Sequence, residues 1–216
     1  MGPAHIVAET QSGFITDRHI SKNIRLMLDL LDSADSVQSE AFILFLDFYK
    51  AFDTVEHTFL TECLQLFGFG NQCIDTIEMF YKGIDSSVII NYSTSNRLDR
   101  KRGVRRGCPL SPFLFVSVVE LLSVNIEHDP DFKGFSVFNR ERRISQLADD
   151  TTLFLKDKEQ LLKAVDPVQQ LSSASGLKLH VWKCELWPIH TGDDTFIDNI
   201  PVKTMVKCLG IHITKH

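Results

Sequence analysis

Positive charge, paired cysteines and long apolar runs are all scarce in this sequence. Its formal net charge is −5, so the molecule as a whole does not attract polyanions and any contact with nucleic acid has to be local. No apolar run approaches the ~18 residues that a membrane span requires, and the first residues lack the basic and apolar regions of a signal peptide. We therefore expect an intracellular protein with no membrane contact.

The five cysteines are scattered and odd in number, and none belongs to a CxxC pair. This pattern predicts free thiols in a reducing compartment. The dinucleotide-binding and P-loop glycine motifs, the HExxH zinc motif and internal repeats of about 20 to 50 residues are also missing, which argues against those classes of protein. With 44% hydrophobic residues, the 216-residue chain can bury the core of one large domain or two small ones.

Hydrophobic periodicity predicts an α+β fold in which a mostly antiparallel sheet packs against helices. A capping box at Asp53 to Glu56, Ser111 at a helix start and a break or kink at Pro167 are the expected helix boundary signals. Helices are predicted over residues 20–31, 53–67, 71–81, 111–126 and 158–176. Strands are predicted over residues 41–46, 134–138, 142–148, 151–156, 177–186 and 206–213, and a further hairpin is predicted with its turn at 93–96.

Two adjacent aspartates, Asp149 and Asp150, interrupt the strand-like stretch SQLADDTTLF. Like charges side by side in a hairpin repel each other, and a cation would relieve that repulsion. Asp47 directly follows the apolar run AFILFL, where a buried carboxylate without a partner would cost several kcal/mol. If the strand before Asp47 lies next to the hairpin, three carboxylates meet at one end of the sheet and can bind Mg²⁺.

Adjacent aspartates in a turn are more often solvated loop residues, and that interpretation stays open on the spacing alone. If they do bind metal, the chemistry is phosphoryl or nucleotidyl transfer with two ions about 3.5 to 4 Å apart. A metal-dependent nuclease or phosphatase could use the same three acids.

Several stretches, taken in order, resemble the palm motifs of reverse transcriptases of non-LTR (LINE-type) retrotransposons, and one upstream stretch resembles the fingers of that family. The palm-like stretches are LFLDFYKAFDTV, KRGVRRGCPLSPFLF, SQLADDTTLF, SGLKLHVWKCEL and KCLGI, and the fingers-like stretch is QSGFITDRHISKNIRL. The resemblance implies an RNA-directed DNA polymerase with a palm-like fold. It also implies two Mg²⁺ ions, or Mn²⁺, an RNA template with a DNA primer, deoxynucleoside triphosphates and action in the nucleus.

The same resemblance implies roles for individual residues. Asp47, Asp149 and Asp150 match the metal-binding catalytic acids, and the carbonyl of Phe48 would join the coordination of the first. Lys183 matches a lysine proposed to protonate the pyrophosphate leaving group.

A second set of matching residues would face the incoming nucleotide. Phe52 occupies the place of the aromatic steric gate that favours deoxynucleotides, although its spacing fits a core phenylalanine equally well. Gly107 would allow close approach of the backbone, and Arg106 precedes it beside the nucleotide pocket. Asp53 we assign to helix capping and not to metal.

Two basic clusters could supply local phosphate contacts in this acidic chain, or could be solvated surface. The residues expected to contact nucleic acid are Arg18, Lys22, Arg25, Arg100, Lys101, Arg102 and Arg105. We assign residues 1–40 and 68–106 to a partial fingers region, and residues 41–67 and 107–216 to the palm. The thumb and the endonuclease are expected to be absent, so that flanking sequence would have to supply them.

The sequence also departs from the family pattern. Arg106 stands where Gln is usual, Asp17 where Gly is usual and His180 where Asn is usual. Thr16, Trp182 and Pro167 are further departures. These substitutions keep open an alternative, namely a truncated or decayed copy that is not catalytic and at most binds nucleic acid.

Overall fold

The computed structural model describes residues 6–34, 41–137, 140–190 and 195–214. The α-helices are α1 Ile20–Ala34, α2 Ala51–Thr54, α3 His57–Leu66, α4 Asn71–Tyr81, α5 Ser111–His128 and α6 Glu159–Ser175. The first strands are β1 Phe42–Leu46, β2 Asp85–Ser86, β3 Ile89–Ile90, β4 Ser93–Thr94, β5 Leu98–Asp99, β6 Phe135–Val137 and β7 Arg140–Arg142. The later strands are β8 Ile144–Leu147, β9 Asp150–Leu155, β10 Glu185–Pro188, β11 Phe196–Ile197, β12 Ile200–Pro201, β13 Met205–Cys208 and β14 Ile211–Thr214. The predicted α+β class with antiparallel sheets is confirmed.

The central sheet has the strand order β10-β1-β9-β8 and is antiparallel throughout. β1 lies inside this sheet because its apolar run is buried on both faces, as the sequence predicted. Phe42 pairs with Leu155 and Leu46 pairs with Thr151, which fixes the register of β1 against β9.

Two separate apolar layers cover the two faces of this sheet. On one face, side chains such as Leu44 and Leu153 pack in a core with α3, α4, α5 and α6. On the other face, Ile43 and Phe154 pack with α1, β6 and the β13–β14 hairpin. Successive residues of a strand face opposite sides, so this alternation assigns each residue of β1 and β9 to one layer.

The predicted hairpin after α4 is confirmed, but its turn lies two residues earlier than expected. β3 and β4 pair around Asn91 and Tyr92, which both have positive φ, at 49° and 64°. A two-residue turn of this kind suits the twist of the strands, and asparagine tolerates the left-handed conformation. The serines at 93–96 therefore belong to the returning strand and the loop after it.

The predicted capping box was wrong. Asp53 lies inside the short helix α2, and α3 begins only at His57, because Val55 between them is extended. The carboxylates of Asp53 and Glu56 bind Arg106 and Arg102 instead of capping a helix. Asp53 therefore links α2 to Arg106, and Glu56 links the start of α3 to Arg102.

Two other boundary predictions need correction. α5 begins at Ser111, but within the described chain its buried hydroxyl makes no capping hydrogen bond. α6 runs unbroken through Pro167, which is buried in the face that packs on the core, so that packing offsets the ~3 kcal/mol cost of an internal proline.

The predicted strand 177–186 is only partly formed. Val181–Lys183 is a 3₁₀-helix, and the strand β10 starts at Glu185. Phe138, at the end of another predicted strand, and residues 1–5 and 35–40 of the assigned fingers region lie outside the described residues. Among the described helices, none combines the length and apolar character needed to cross a bilayer.

Candidate active site

The three predicted acids lie at the same end of the central sheet. Asp149 is the second residue of the two-residue turn between β8 and β9, and Asp150 is the first residue of β9, opposite Leu147. The pairing of β1 with β9 ends at Leu46 and Thr151, and Asp47 and Asp150 are the next residues of the two chain segments at that end. The two carboxylates are close enough for the charge of Asp47 to act on Asp150.

Asp47 and Asp150 share the face of the sheet that carries Ile43 and Phe154. Burial raises the pKa of the Asp150 carboxyl, and the negative charges of Asp149 and Asp47 raise it further. Within the described part of the chain, no cationic side chain offsets this negative charge at Asp150. Carboxylate oxygens with uncompensated charge are the donor set that a hard divalent cation such as Mg²⁺ prefers, so these residues fit that ion.

The described residues do not assemble a closed metal cluster of three or more acidic, histidine or cysteine side chains. One carboxylate oxygen of Asp47 lies 3.6 Å from Nδ1 of His180, which is beyond hydrogen-bonding range. The three acids therefore lie at one end of the sheet, but their side chains are not spaced as the ligands of a bound metal ion would be.

The segment after α6 is anchored to the first acid. The backbone N–H of His180 donates to the carbonyl of Asp47 at 2.8 Å, and Tyr49 N–H donates to the carbonyl of Lys178 at 2.7 Å. These two bonds flank Phe48, which forms an antiparallel bridge with Leu179, so the carbonyl of Phe48 points away from residues 178–180. The unusual residue His180 therefore lies directly beside the acid that follows β1.

Lys183 ends the 3₁₀-helix that begins one residue after His180. Its side chain is exposed, and its backbone N–H donates to the carbonyl of His180 at 2.8 Å. The predicted proton donor is therefore on a short segment attached to Asp47, with a side chain free to reach solvent.

Phe52 is half-buried and contacts aromatic rings on two sides. Its ring stacks on Phe115 of α5 with centroids 4.3 Å apart, and Phe14 approaches it edge-on at 6.3 Å. The core interpretation of Phe52 is therefore correct in part, while its partial exposure leaves an edge available to a ligand. Phe14 was not among the predicted site residues.

Gly107 has a φ of 82°, a conformation that other residues adopt only with strain. A Cβ added there would meet no atom of the described chain within 4 Å. The glycine is thus required by its backbone angle, and the space beside it is open.

Arg106 donates to the carboxylate of Asp53 at 2.8 Å; the arginine side chain is largely exposed and the aspartate is half-buried. The fixed cation that replaces the usual glutamine is therefore partly neutralised by its neighbour. Both residues line a cavity of about 400 Å³, together with Asp85, Arg100 and Arg105. This cavity carries more basic than acidic side chains.

The first basic cluster, Arg18, Lys22 and Arg25, bonds to carbonyl and carboxylate groups of the chain itself. The guanidinium of Arg18 donates to the carbonyls of Gln11 and Val7 at 2.7 and 3.0 Å, and to that of Ala8. Arg25 pairs with Asp29 at 2.9 Å, and Lys22 is exposed with its Nζ 3.4 Å from the carbonyl of Glu9. Arg18 is thus an internal support of the loop before α1.

The second basic cluster divides into paired and unpaired cations. Arg102 binds Glu56, and Arg106 binds Asp53. In contrast, Arg100, Lys101 and Arg105 are exposed and form no ion pair with the described part of the chain. These three remain available to an anionic ligand.

Asp17 stands where the resembling family usually has glycine, and its φ of 63° explains that preference. Aspartate is among the few other residues that tolerate this conformation. The departure is therefore compatible with the backbone.

The sequence reasoning missed a buried glutamine pair beneath the acids. Gln146 in β8 accepts a hydrogen bond from Ser123 of α5 at 2.7 Å, and Gln11 binds the backbone of Ala148 in the turn. The stretch QSG is predicted to matter only through its family resemblance, because a polar residue near a glycine carries no periodic signal of burial.

Comparison with known protein families supports the polymerase interpretation. The family described as reverse transcriptase (RNA-dependent DNA polymerase) matches residues 2–213. The "Transposon TX1 uncharacterized 149 kDa protein" of Xenopus laevis is 30% identical over 185 residues, which cover 82% of this chain and 14% of that protein. The Pol polyprotein of the type-2 retrotransposable element R2DM of Drosophila melanogaster is 29% identical over 174 residues, 81% of this chain and 16% of that protein.

Solved structures agree on the fold. An apo telomerase from Candida tropicalis, truncated of its C-terminal domain, superposes with a TM-score of 0.65 at 14% identity, covering 95% of this chain and 39% of the telomerase chain. The telomerase of Candida albicans, solved with a telomeric RNA fragment, gives a TM-score of 0.62 at 14% identity, covering 91% and 33%. The chain thus spans less than a fifth of the TX1 and R2DM proteins and well under half of these telomerase chains.

Proposed function

The chain belongs to the reverse transcriptase family and is related to proteins of non-LTR retrotransposons, and from this premise we propose that it extends a primer 3′-hydroxyl on an RNA template. The observation that carries the proposal is the convergence of Asp47, Asp149 and Asp150 at one end of the central sheet. The raised pKa of Asp150 supports it, since the neighbouring acids carry negative charge that a cation would neutralise.

Asp47, Asp149 and Asp150 would hold two divalent cations, Mg²⁺ or Mn²⁺, with the carbonyl of Phe48 as a further oxygen donor. When bound, such ions lower the pKa of an attacking hydroxyl and neutralise charge on the phosphates. The protein residues supply the fixed, antiparallel frame that keeps the carboxylates together before any ion arrives.

Other residues would act on the substrates directly. The exposed Lys183 would donate a proton to the departing pyrophosphate, as a general acid. The edge of Phe52 would crowd a ribose 2′-hydroxyl and favour deoxynucleoside triphosphates, while Phe115 holds the ring in place from behind. The open space beside Gly107 would admit the nucleotide, with Arg106 and Asp53 at its border.

RNA template and DNA primer would lie along the exposed cations. Arg100, Lys101 and Arg105 are the best supported contacts because no acid of the described chain pairs with them. Lys22, Arg25 and Arg102 are secondary contacts, and Arg18 would act by supporting the loop. In this proposal residues 68–106 and 1–40 are the partial fingers, and residues 41–67 and 107–216 are the palm.

Primer extension by the purified chain tests the proposal. With Mg²⁺ or Mn²⁺, an RNA template and a DNA primer, Asp149→Ala should lower the extension rate at least about a hundredfold, because it removes a direct metal ligand. Asp166→Ala, an exposed position on α6, is the matched control and should extend at the unmodified rate. Equal extension by the unmodified chain and Asp149→Ala would contradict the assignment.

A decayed, non-catalytic copy is the second candidate, favoured by the altered residues at the site. Restoring the usual residues with Arg106→Gln, Asp17→Gly and His180→Asn separates the two. Extension that appears only in the restored chain would establish decay. Extension by the unmodified chain would exclude it.

A further inference from the structure

The turn that carries two of the acids is held by a side chain from the other end of the sequence. Gln11 is fully buried, at 0% exposure. Its Oε1 accepts the backbone N–H of Ala148 at 2.8 Å, and its Nε2 donates to the carbonyl of Ala148 at 3.2 Å. One amide therefore satisfies both backbone groups of the residue that precedes Asp149.

Ala148 adopts a conformation that alanine disfavours. Its φ is 58°, in the left-handed region, where the Cβ lies too close to neighbouring backbone atoms. Such a conformation persists only where the surroundings determine it. The two bonds from Gln11 are specific to that orientation of the Ala148 peptide groups, so they stabilise the strained turn.

A tight backbone contact supports the same turn. A Cβ placed on Gly13 would lie 2.3 Å from the backbone nitrogen of Ala148, so no other residue fits at position 13 without displacing the turn. The segment around Gln11 is itself anchored, because Ser12 N–H donates to the carbonyl of Gln146 at 2.9 Å and Gln146 N–H donates to the carbonyl of Thr10 at 2.8 Å. Gln11 also accepts the N–H of Gly13 at 2.7 Å.

We propose that Gln11 and Gly13 form a clamp on Ala148 that sets the position of Asp149 and Asp150 for cation binding. In this inference, which rests on the proposed function, Gln11 is a positioning residue and touches no substrate. Asp149 directly follows the clamped residue, and Asp150 lies beside Asp47 at the end of the β1–β9 pairing. A change of the turn would therefore move both acids relative to Asp47.

The test combines hydrogen exchange at Ala148 with Mn²⁺ binding, measured as free Mn²⁺ by electron paramagnetic resonance. Gln11→Met removes both bonds at nearly constant volume. Exchange of the Ala148 amide should quicken about tenfold or more, and Mn²⁺ affinity should fall about tenfold, the usual cost of losing a group that orients a metal ligand. Gly13→Ala disturbs the contact from the other side and should give the same pair of changes.

Gln160→Met is the matched control. Gln160 is also buried, at 4% exposure, and its Oε1 accepts the backbone N–H of Lys133 at 2.7 Å, a bond that does not involve the turn. It should lower stability without changing Mn²⁺ affinity or exchange at Ala148. Ala148→Gly should restore most of the lost affinity to Gln11→Met, because glycine adopts positive φ without strain, and should restore nothing to Gln160→Met.

Two results would overturn the clamp. Equal loss of Mn²⁺ affinity in Gln11→Met and Gln160→Met would make Gln11 a stabilising contact only, and so would a failure of Ala148→Gly to rescue. A different result bears on the proposed function alone: if Asp149→Ala binds Mn²⁺ as the unmodified chain does, the acids are not the metal site. Exchange at Ala148 still decides whether Gln11 holds the turn.

Discussion

The central sheet and the hairpin of β2 to β5 are both antiparallel, yet large apolar side chains are buried in the sheet and exposed in the hairpin. Ile43 and Leu44 of β1 are at 0% exposure, whereas Ile89 of β3 is 73% exposed and Tyr92 at the turn is fully exposed. Strand-forming residues alone therefore do not create a core. The sheet is covered on one face by α3 to α6 and on the other by α1, β6 and the β13–β14 hairpin, so it can hold charged side chains in fixed positions. The β2–β5 hairpin presents its side chains outward.

We propose different roles for these two regions because of this difference in burial. The acids lie at the end of the buried sheet, where their positions are set by the register of four strands. The unpaired cations Arg100, Lys101 and Arg105 lie at or beyond the exposed hairpin, where side chains can adjust to a flexible ligand. Changes in the sheet should therefore alter stability and catalysis, and changes in the hairpin should alter binding.

The largest stability effect should come from the sheet. Leu44→Ala leaves a cavity between β1 and the helices, and we expect the free energy of unfolding to fall by about 2–5 kcal/mol. Urea denaturation followed by circular dichroism measures this. A loss below about 1 kcal/mol would mean that the sheet is not the stabilising core and does not differ in this respect from the β2–β5 hairpin.

A pH-dependent effect should come from Glu120, which lies on α5 beneath the N-terminal loop. Burial raises the pKa of Glu120 to about 7 from an ordinary 4.5, although the N–H of Ala8 and the charge of Arg18 oppose the shift. The folded chain therefore binds more protons than the unfolded chain between these values. Stability should fall as pH rises from about 4.5 to about 7 and stay low above that.

Glu120→Gln should remove this loss and raise the free energy of unfolding at pH 8 by up to about 3 kcal/mol, with little change at pH 4.5. Glu78→Gln, at an exposed position of α4, is the control and should change neither value. Denaturation midpoints across pH 4.5 to 8 give the comparison. A parallel pH profile for Glu120→Gln and the unmodified chain would contradict the assignment.

A smaller effect, on binding alone, should follow from replacing Arg100, Lys101 and Arg105 together by Gln. Affinity for a primer–template duplex should weaken, and the slope of log affinity against log salt should become shallower by about 2 to 3, since each phosphate contact contributes roughly 0.7–0.9. Fluorescence anisotropy at several salt concentrations measures the slope. The control replaces three exposed lysines outside the hairpin: Lys163, Lys203 and Lys207. An equal change in the control would indicate general charge and no defined surface.

The smallest effect should come from the apolar surface of the hairpin. Ile89→Ala removes a side chain that is mostly in water, so we expect the free energy of unfolding to change by less than about 0.5 kcal/mol. Thermal denaturation beside Leu44→Ala provides the measurement. A loss of stability as large as that of Leu44→Ala would mean that the hairpin is part of the core and stabilises the fold as the central sheet does.

Much of the fold follows from local patterns, because apolar periodicity and burial agree. β1, β9, α1 and α4 were predicted at nearly their observed positions, and β1 lies next to the β8–β9 hairpin, which is the condition on which the predicted meeting of the acids rested. The errors share a physical cause, which is that distant contacts outweigh local signals. Asp53 and Glu56 bind arginines about 50 residues away, and packing keeps α6 intact at Pro167.

The residues that hold the site were not predictable by the same means. Gln11 contacts Ala148 across 137 positions of sequence, and neither residue has a composition or spacing that marks the contact. Phe14 and His180 likewise acquire their places beside Phe52 and Asp47 only through the folded chain. Local sequence indicates which groups carry the chemistry, while tertiary structure determines which groups orient them.

We propose that Asp47, Asp149 and Asp150 form one divalent-cation site at the end of the buried sheet. Crystals of the chain soaked in Mn²⁺ and measured at the manganese absorption edge provide the decisive test. We expect anomalous density within about 2.0–2.3 Å of carboxylate oxygens from Asp47 and from Asp149 or Asp150. Density elsewhere only, or none at saturating Mn²⁺, would contradict it.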